Sequence, residues 1–281
     1  MNSLFGTDNR SQTMVRPYGV FSDKNRVYIT DPGFGCVHIF DTRERSYFSF
    51  EDANEGYLLA PIGITVDKDG YIYVADSLLK KILVFDTQGK YIRQIGSADL
   101  LQRPSGITLK DNNLYVVDTL GHRVLVFSKE NGKLLFSFGK HGSDDGNFNY
   151  PTNIFVSRQN LIYVTDSMNF RVQIFDQNGK FLSNFGKLGD GSGDLSKPKG
   201  IAVDSDGNIY LVDAHFDNVQ IFNEKGNLLL VFGSSGNKEG EFALPAGIFI
   251  DEDDRIYVAD SYNQRIQVFQ YLKEKKEVIE K

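Results

Sequence analysis

Four histidines, a single cysteine and a recurring aspartate are the residues of this 281-residue chain best suited to chemistry. A metal-dependent enzyme would need three of His38, His122, His141 and His215, or histidine with carboxylates, converging on one point. Their sequence positions do not arrange this. His38 alternates with Val37 and Ile39, His141 lies in a glycine-rich stretch, and His215 is two positions out of register with His122 relative to the aspartate preceding each. Each reads as a surface or interface histidine. Cys36 excludes an intramolecular disulfide, and its place beside Gly35 at the start of an apolar segment reads as a buried, inert thiol. Paired acids, Ser-His or Cys-His arrangements and a phosphate-cradling glycine loop do not rise above chance. No cofactor is expected.

The aspartates are Asp31, Asp76, Asp118, Asp166, Asp213 and Asp260, each closing the pattern aliphatic-Tyr-aliphatic-x-Asp. A ring of carboxylates suggests a metal or catalytic acids. The alternative is structural: a carboxylate at a strand end accepts amide hydrogens from the following turn. Five residues on stands a cation in four copies, Lys81, Arg123, Arg171 and Arg265. The same group in every copy reads as structure, because a catalytic site uses unlike groups placed once.

The elements that position these residues repeat. Pro17, Pro61, Pro104, Pro151, Pro198 and Pro245 fall 44, 43, 47, 47 and 47 residues apart. Each opens a short apolar strand entered through a glycine turn, as in Pro198-Lys199-Gly200-Ile201-Ala202-Val203-Asp204. A polar turn, the tyrosine strand, a third strand ending in Phe (Phe40, Phe85, Phe127, Phe175, Phe222, Phe269) and a fourth running into Phe-Gly complete the unit. Strand length and Asp-Gly or Asn-Gly turns predict a four-stranded antiparallel meander. Its strands are apolar on both faces, so each sheet must lie between two copies of itself. Six such sheets predict an all-β, six-bladed β-propeller over residues 1–270, followed by a charged tail at 271–281. Leu4-Phe5-Gly6 mimics Val231-Phe232-Gly233, predicting that residues near 3–5 form the outer strand of the last blade; residues 275–279 compete for that place.

Composition bounds the partners. A net charge of −6 argues against nucleic acid as the default partner. No apolar run approaches a membrane span and the start lacks a signal-peptide pattern, so a soluble, monomeric protein is expected.

The run Phe185-Gly186-Lys187-Leu188-Gly189-Asp190-Gly191-Ser192-Gly193-Asp194-Leu195-Ser196-Lys197-Pro198, followed by Ile209-Tyr210-Leu211-Val212-Asp213, resembles the NHL repeat. So do Asp166-Ser167-Met168-Asn169-Phe170-Arg171 and Asp260-Ser261-Tyr262-Asn263-Gln264-Arg265, and the resemblance spans residues 16–270. It implies a six-bladed propeller, most often a binding scaffold. His122 resembles the zinc-binding turn histidine of the related peptide-amidating lyases, but the other copies carry Gly35, Lys80, Phe170, Asp217 and Gln264 there. A metal-dependent lyase or lactone hydrolase at the axis is thus the alternative. Some NHL propellers bind single-stranded RNA, and Lys80, Lys81, His122, Arg123, Arg171 and Arg265 with Phe170 and Tyr262 would serve that reading. Bacterial relatives are often exported or lipid-anchored, so a periplasmic or extracellular location after signal removal is open.

In such a meander the inter-blade loops and the turns after each Asp share one face. Phe34, Leu78, Leu79, Leu120, Met168, Phe170, Phe216 and Tyr262 occupy those normally polar turns, with His122, Arg123, Arg171, His215 and Arg265 beside them. An outward apolar patch there predicts a recognition face for a protein or small-ligand partner; the alternative is that these side chains cap the core between blades.

Overall fold

The tyrosine strand is the second strand of an antiparallel meander in all six copies. The structure, a computed structural model, describes residues 14–270 apart from position 24. Blade 1 comprises Val20–Ser22, Arg26–Asp31, Cys36–Asp41 and Ser46–Phe50, paired in that order. Blades 2 to 5 repeat the arrangement, with inner strands Pro61–Val66, Pro104–Lys110, Pro151–Val156 and Pro198–Val203. Blade 6 shows three strands among the described residues, Ile248–Ile250, Arg255–Asp260 and Arg265–Gln270. Both segments expected to compete for its outer place, 3–5 and 275–279, lie outside the described residues. No helix among the described residues is long and apolar enough to cross a membrane.

Apolar strands with two greasy faces bury them against their neighbours. Between blades 2 and 3, Tyr73, Ile82 and Ile95 meet Ile107, Leu114 and Leu125. Equivalent clusters fill the other gaps, and Val20, Ile29 and Phe40 of blade 1 pack with Tyr257 of blade 6 to close the ring. The phenylalanines ending the third strands, Phe85, Phe127, Phe175 and Phe222, are almost wholly buried. Each contributes about 1.5–3 kcal/mol of burial.

The expected glycine turn at the start of each repeat is instead a close approach inside the inner strand. A Cβ on Gly63 would lie 2.2 Å from the carbonyl oxygen of Ser105 in the next blade. One on Gly247 would lie 2.2 Å from that of Tyr18, across the blade 6 to blade 1 joint. Gly19, Gly106 and Gly200 meet neighbouring inner strands in the same way. Inner strands converge on the axis, where backbones come too near for a side chain on that side; blade 4 alone carries Asn153 there, whose own Oδ1 accepts the Ile154 N–H.

Candidate binding face

Each aspartate of the Tyr-x-x-Asp pattern ties two loops together. Asp76, fully buried, accepts the N–H of Leu59 (2.8 Å) and Ala60 (3.1 Å) from the loop leading into its blade, and those of Leu78 (3.1 Å) and Leu79 (3.0 Å) from the turn after it. Asp31 and Asp213 repeat this with Val15, Arg16, Gly33 and Phe34, and with Ser196, Lys197, His215 and Phe216. The turn donors were expected from sequence; those from 15 to 17 residues upstream were not. They place the inter-blade loops and the turns on one face.

In blades 4 and 6, side chains complete the knot. Asp166 receives Asn169 Nδ2 (2.8 Å), Arg171 Nε (2.8 Å) and Gln173 Nε2 (3.1 Å). Asp260 receives Asn263, Arg265 and Gln267 in the same geometry. The guanidiniums then reach the preceding loop: Arg171 donates to the carbonyls of Asp144 and Asn147, and Arg265 to those of Asn237, Lys238 and Glu241. Blade 3 is looser. Gly121 and Leu125 replace the Asn and Gln, and Arg123 Nε stands 3.5 Å from Asp118 while Nη2 donates to Leu100 O.

Blade 1 uses a histidine instead of glutamine. His38 is buried, with Nε2 3.3 Å from Asp31, Nδ1 2.9 Å from Tyr47 Oη and Cys36 Sγ 3.4 Å away. The surface or interface reading of this residue is thereby corrected: His38 is a core residue, because the pleat turns it towards the buried aspartate. Burial opposes the charge on Asp31, but the hydrogen bonds from His38, Val15 and Arg16 outweigh it and hold the carboxyl below its ordinary range. Burial pushes the Cys36 thiol up to about 12, with Asp31 adding to the shift, so it is an inert thiol at neutral pH.

One loop feature escaped the sequence reading. Three residues before each proline stands an apolar side chain, and Leu58, Leu101, Phe148, Leu195 and Phe242 are all buried. Met14 packs against the blade 1 to blade 6 cluster from the corresponding position. These anchors explain Phe-Gly: a Cβ on Gly139 or Gly233 would lie 2.4 Å from the ring of Phe148 or Phe242. The recurring Leu/Phe-x-x-Pro spacing was the available signal.

Four of the turn residues stand well out of the face: Phe34 (60% exposed), Leu78 (65%), Met168 (52%) and Tyr262 (66%). Leu120 and His215 are exposed beside them. Leu59, Tyr150, Leu188 and Leu244, from the inter-blade loops, add exposed apolar area on the same face. Leu79 and Phe170 are half-buried and pack against inter-blade clusters. Phe216 is half-buried, with its ring 5.5 Å from His215. Arg123, Arg171 and Arg265 are half-buried in the bonds described above. The turn position four residues after each Asp, Gly35, Lys80, His122, Phe170, Asp217 and Gln264, is left-handed in every blade, with φ from 50° to 75°. This fixes where each neighbouring turn side chain is presented.

His122 and His141 come together, with ring centroids 4.4 Å apart, and Tyr150 stacks edge-on at 4.7 Å while its N–H donates to His122 Nδ1 (3.2 Å). Burial, then the neighbouring His141, lowers the His122 pKa. His38 and His215 stand in other blades. Among the described residues no three His, Cys, Asp or Glu side chains are grouped to hold a metal ion.

Six blades, buried aspartate knots and a loop-built face define a six-bladed propeller of the NHL type. The family model described as 6-bladed beta-propeller matches residues 44–99, 98–164 and 158–217, well over half of the chain, and the NHL repeat model matches residues 242–269. The chain belongs to the 6-bladed beta-propeller family. Protein brain tumor of Drosophila melanogaster is 33% identical over 130 residues, which cover 44% of this chain and 12% of that protein. The match therefore spans about an eighth of that relative's length. Among solved structures, virginiamycin B lyase from Staphylococcus aureus, in complex with quinupristin, superposes with a TM-score of 0.67 at 19% identity, covering 93% of this chain and 86% of that one. A protein of unknown function from Bacteroides thetaiotaomicron gives 0.72 at 17% identity, covering 93% and 71%. An auxiliary nutrient binding protein from Bacteroides ovatus gives 0.68 at 13%, covering 91% and 69%. At these identities the likeness is one of fold.

Proposed function

We propose that this propeller is a non-catalytic recognition module that captures a protein partner on the face built from the inter-blade loops and the Asp-initiated turns. The observation carrying this reading is the exposure of Phe34, Leu78, Leu120, Met168 and Tyr262 on one face, from five different blades. Large apolar side chains standing out of normally polar turns in five of six blades supply the apolar area from which recognition surfaces are built. The aspartate knots support it physically. Six turns and their loops are fixed before a partner arrives, so little conformational entropy is lost on binding.

A polyanion fits the face less well. Arg171 and Arg265 spend their guanidiniums on an internal carboxylate and on loop carbonyls, and Arg123 faces Asp118. Phosphate contacts draw on cations with free donors. The brain tumor protein shares only part of its length with this chain, so its partners do not transfer.

Co-purification from the native host with the tagged chain tests the reading. Leu78→Ser, Met168→Ser and Tyr262→Ser together should remove the captured partner with the melting temperature nearly unchanged, since all three side chains already stand in water. Leu135→Ser with Leu229→Ser, exposed on outer strands, should retain it. Capture that survives the turn-face triple variant but fails in the outer-strand pair would overturn the assignment.

A further inference from the structure

The opposite mouth of the ring holds a cavity that the proposed recognition face does not use. It has a volume of about 380 Å³ and opens among the hairpins joining inner and second strands. Phe21, Phe155 and Phe249 among its lining residues share one register position on the inner strands. The inner-strand residues paired with the repeated tyrosines are Phe21, Thr65, Thr108, Phe155, Ala202 and Phe249. Phe21 and Phe249 sit in adjacent blades with ring centroids 4.5 Å apart. Phe155 is on blade 4, three places round the ring from blade 1 and so across the axis. All three rings are only half-buried, although they lie on the innermost strands. Large aromatic side chains left partly bare in a concave site mark a place for an apolar body.

The rim is asymmetric in charge, and Glu252 and Asp253 on the blade 6 hairpin add to its acidic side. On blades 1, 2, 5 and 6 the inner strand is followed by Asp23, Asp67, Asp204 and Asp251. Each spends both carboxylate oxygens on its own hairpin N–H groups and on the hydroxyl of Tyr28, Tyr73, Tyr210 or Tyr257. Blade 3 has Lys110 in that place, and blade 4 has Ser157 followed by Arg158. With Lys68 on blade 2, three consecutive blades each bring a cation to the cavity mouth. None of these three side chains has a hydrogen bond or ion pair among the described residues. By contrast, the fourth cation of the lining, Arg255 on blade 6, is tied to Asp251, and Lys129 is tied to Asp67.

We propose that this cavity binds a small molecule with a flat apolar body and one anionic group. The body lies between the Phe21–Phe249 pair and Phe155, and the anion meets Lys110, with Lys68 and Arg158 flanking it. An apolar body supplies affinity by leaving water, and a single desolvated charge pair fixes its orientation.

Fluorescence titration of the full chain with 8-anilinonaphthalene-1-sulfonate, an aromatic body carrying a sulfonate, and with neutral N-phenyl-1-naphthylamine tests this. The sulfonate should bind saturably at one equivalent, at least tenfold tighter than the neutral dye, and weaken with added salt. Lys110→Glu should weaken the sulfonate at least tenfold and leave the neutral dye unchanged, and Lys110→Gln should fall between. Lys133→Glu, an exposed lysine away from the cavity, should bind like the parent. Circular dichroism melts establish that each variant is folded. Equal affinity for both dyes, or a Lys110→Glu variant that binds the sulfonate as well as the parent, would overturn the proposal; so would the absence of saturable binding.

Discussion

Replacing Asp76 by alanine removes the acceptor of four backbone N–H groups at once, from Leu59, Ala60, Leu78 and Leu79. The side chain is fully buried, so water does not simply take its place. A buried donor left without a partner costs about 1–3 kcal/mol, and some of the four will find solvent as the loop relaxes. The expected loss is therefore about 4 kcal/mol, equivalent to a fall of about 10 °C in melting temperature for a protein of this size. Asp76→Asn keeps one oxygen but turns an NH2 group towards two of the donors, so it should lose about half as much. Urea unfolding followed by circular dichroism reads both. Asp69→Ala, in an exposed hairpin, should shift stability by no more than about 0.5 kcal/mol. A loss below about 1 kcal/mol for Asp76→Ala would refute the knot as a structural device and return the aspartates to candidacy as functional acids.

Three further outcomes follow from the same geometry. Gly247→Ala and Gly63→Ala should each cost about 3 kcal/mol in urea unfolding, because both press a Cβ to 2.2 Å from a neighbouring carbonyl; a silent Gly247→Ala would mean that blades 6 and 1 do not form an interior-like joint. The His122 pKa is lowered in the folded protein, so its stabilising contribution is present above the ordinary histidine value and is lost as pH falls through and below it. Melting temperature should therefore drop less between pH 7.5 and 5 in His122→Asn than in the parent, and equal slopes would assign the acid sensitivity elsewhere. Deleting residues 1–7 should lower the melting temperature by several degrees if they supply the outer strand of blade 6, whereas unchanged melting would leave that place to residues 275–279.

The parts of this fold that sequence displayed are those set by local chemistry. Proline spacing, the Tyr-x-x-Asp strands and the terminal phenylalanines report strand number and period, because each marks an element end within a few residues. Local patterning also pointed to the turn N–H groups that each repeated aspartate accepts, as Asp76 does from Leu78 and Leu79. Long-range partners were not legible. Half of the Asp76 bonds come from Leu59 and Ala60, whose pairing depends on how the preceding loop returns over the blade. Phe148 and Phe242 sit in polar loops with no local sign of burial, yet the glycine ending the previous strand makes room for them to plug the gap between blades. Leu78 and Leu79 are adjacent and equally apolar, but only Leu79 packs inward, a choice made by the left-handed turn residue after it. The axial cavity was invisible for the opposite reason. Strands apolar on both faces give no local sign of which phenylalanine points to a neighbour and which to the axis.

The most direct test of the recognition face is site-specific photocrosslinking in native host extract. The photoreactive amino acid p-benzoylphenylalanine replaces Leu78, Met168 or Tyr262 on the turn face and Leu135 or Leu229 on the outer strands, and mass spectrometry identifies the adducts. The proposed function predicts one shared protein adduct from the three turn-face positions and none from the outer strands. Adducts confined to the outer strands would contradict it.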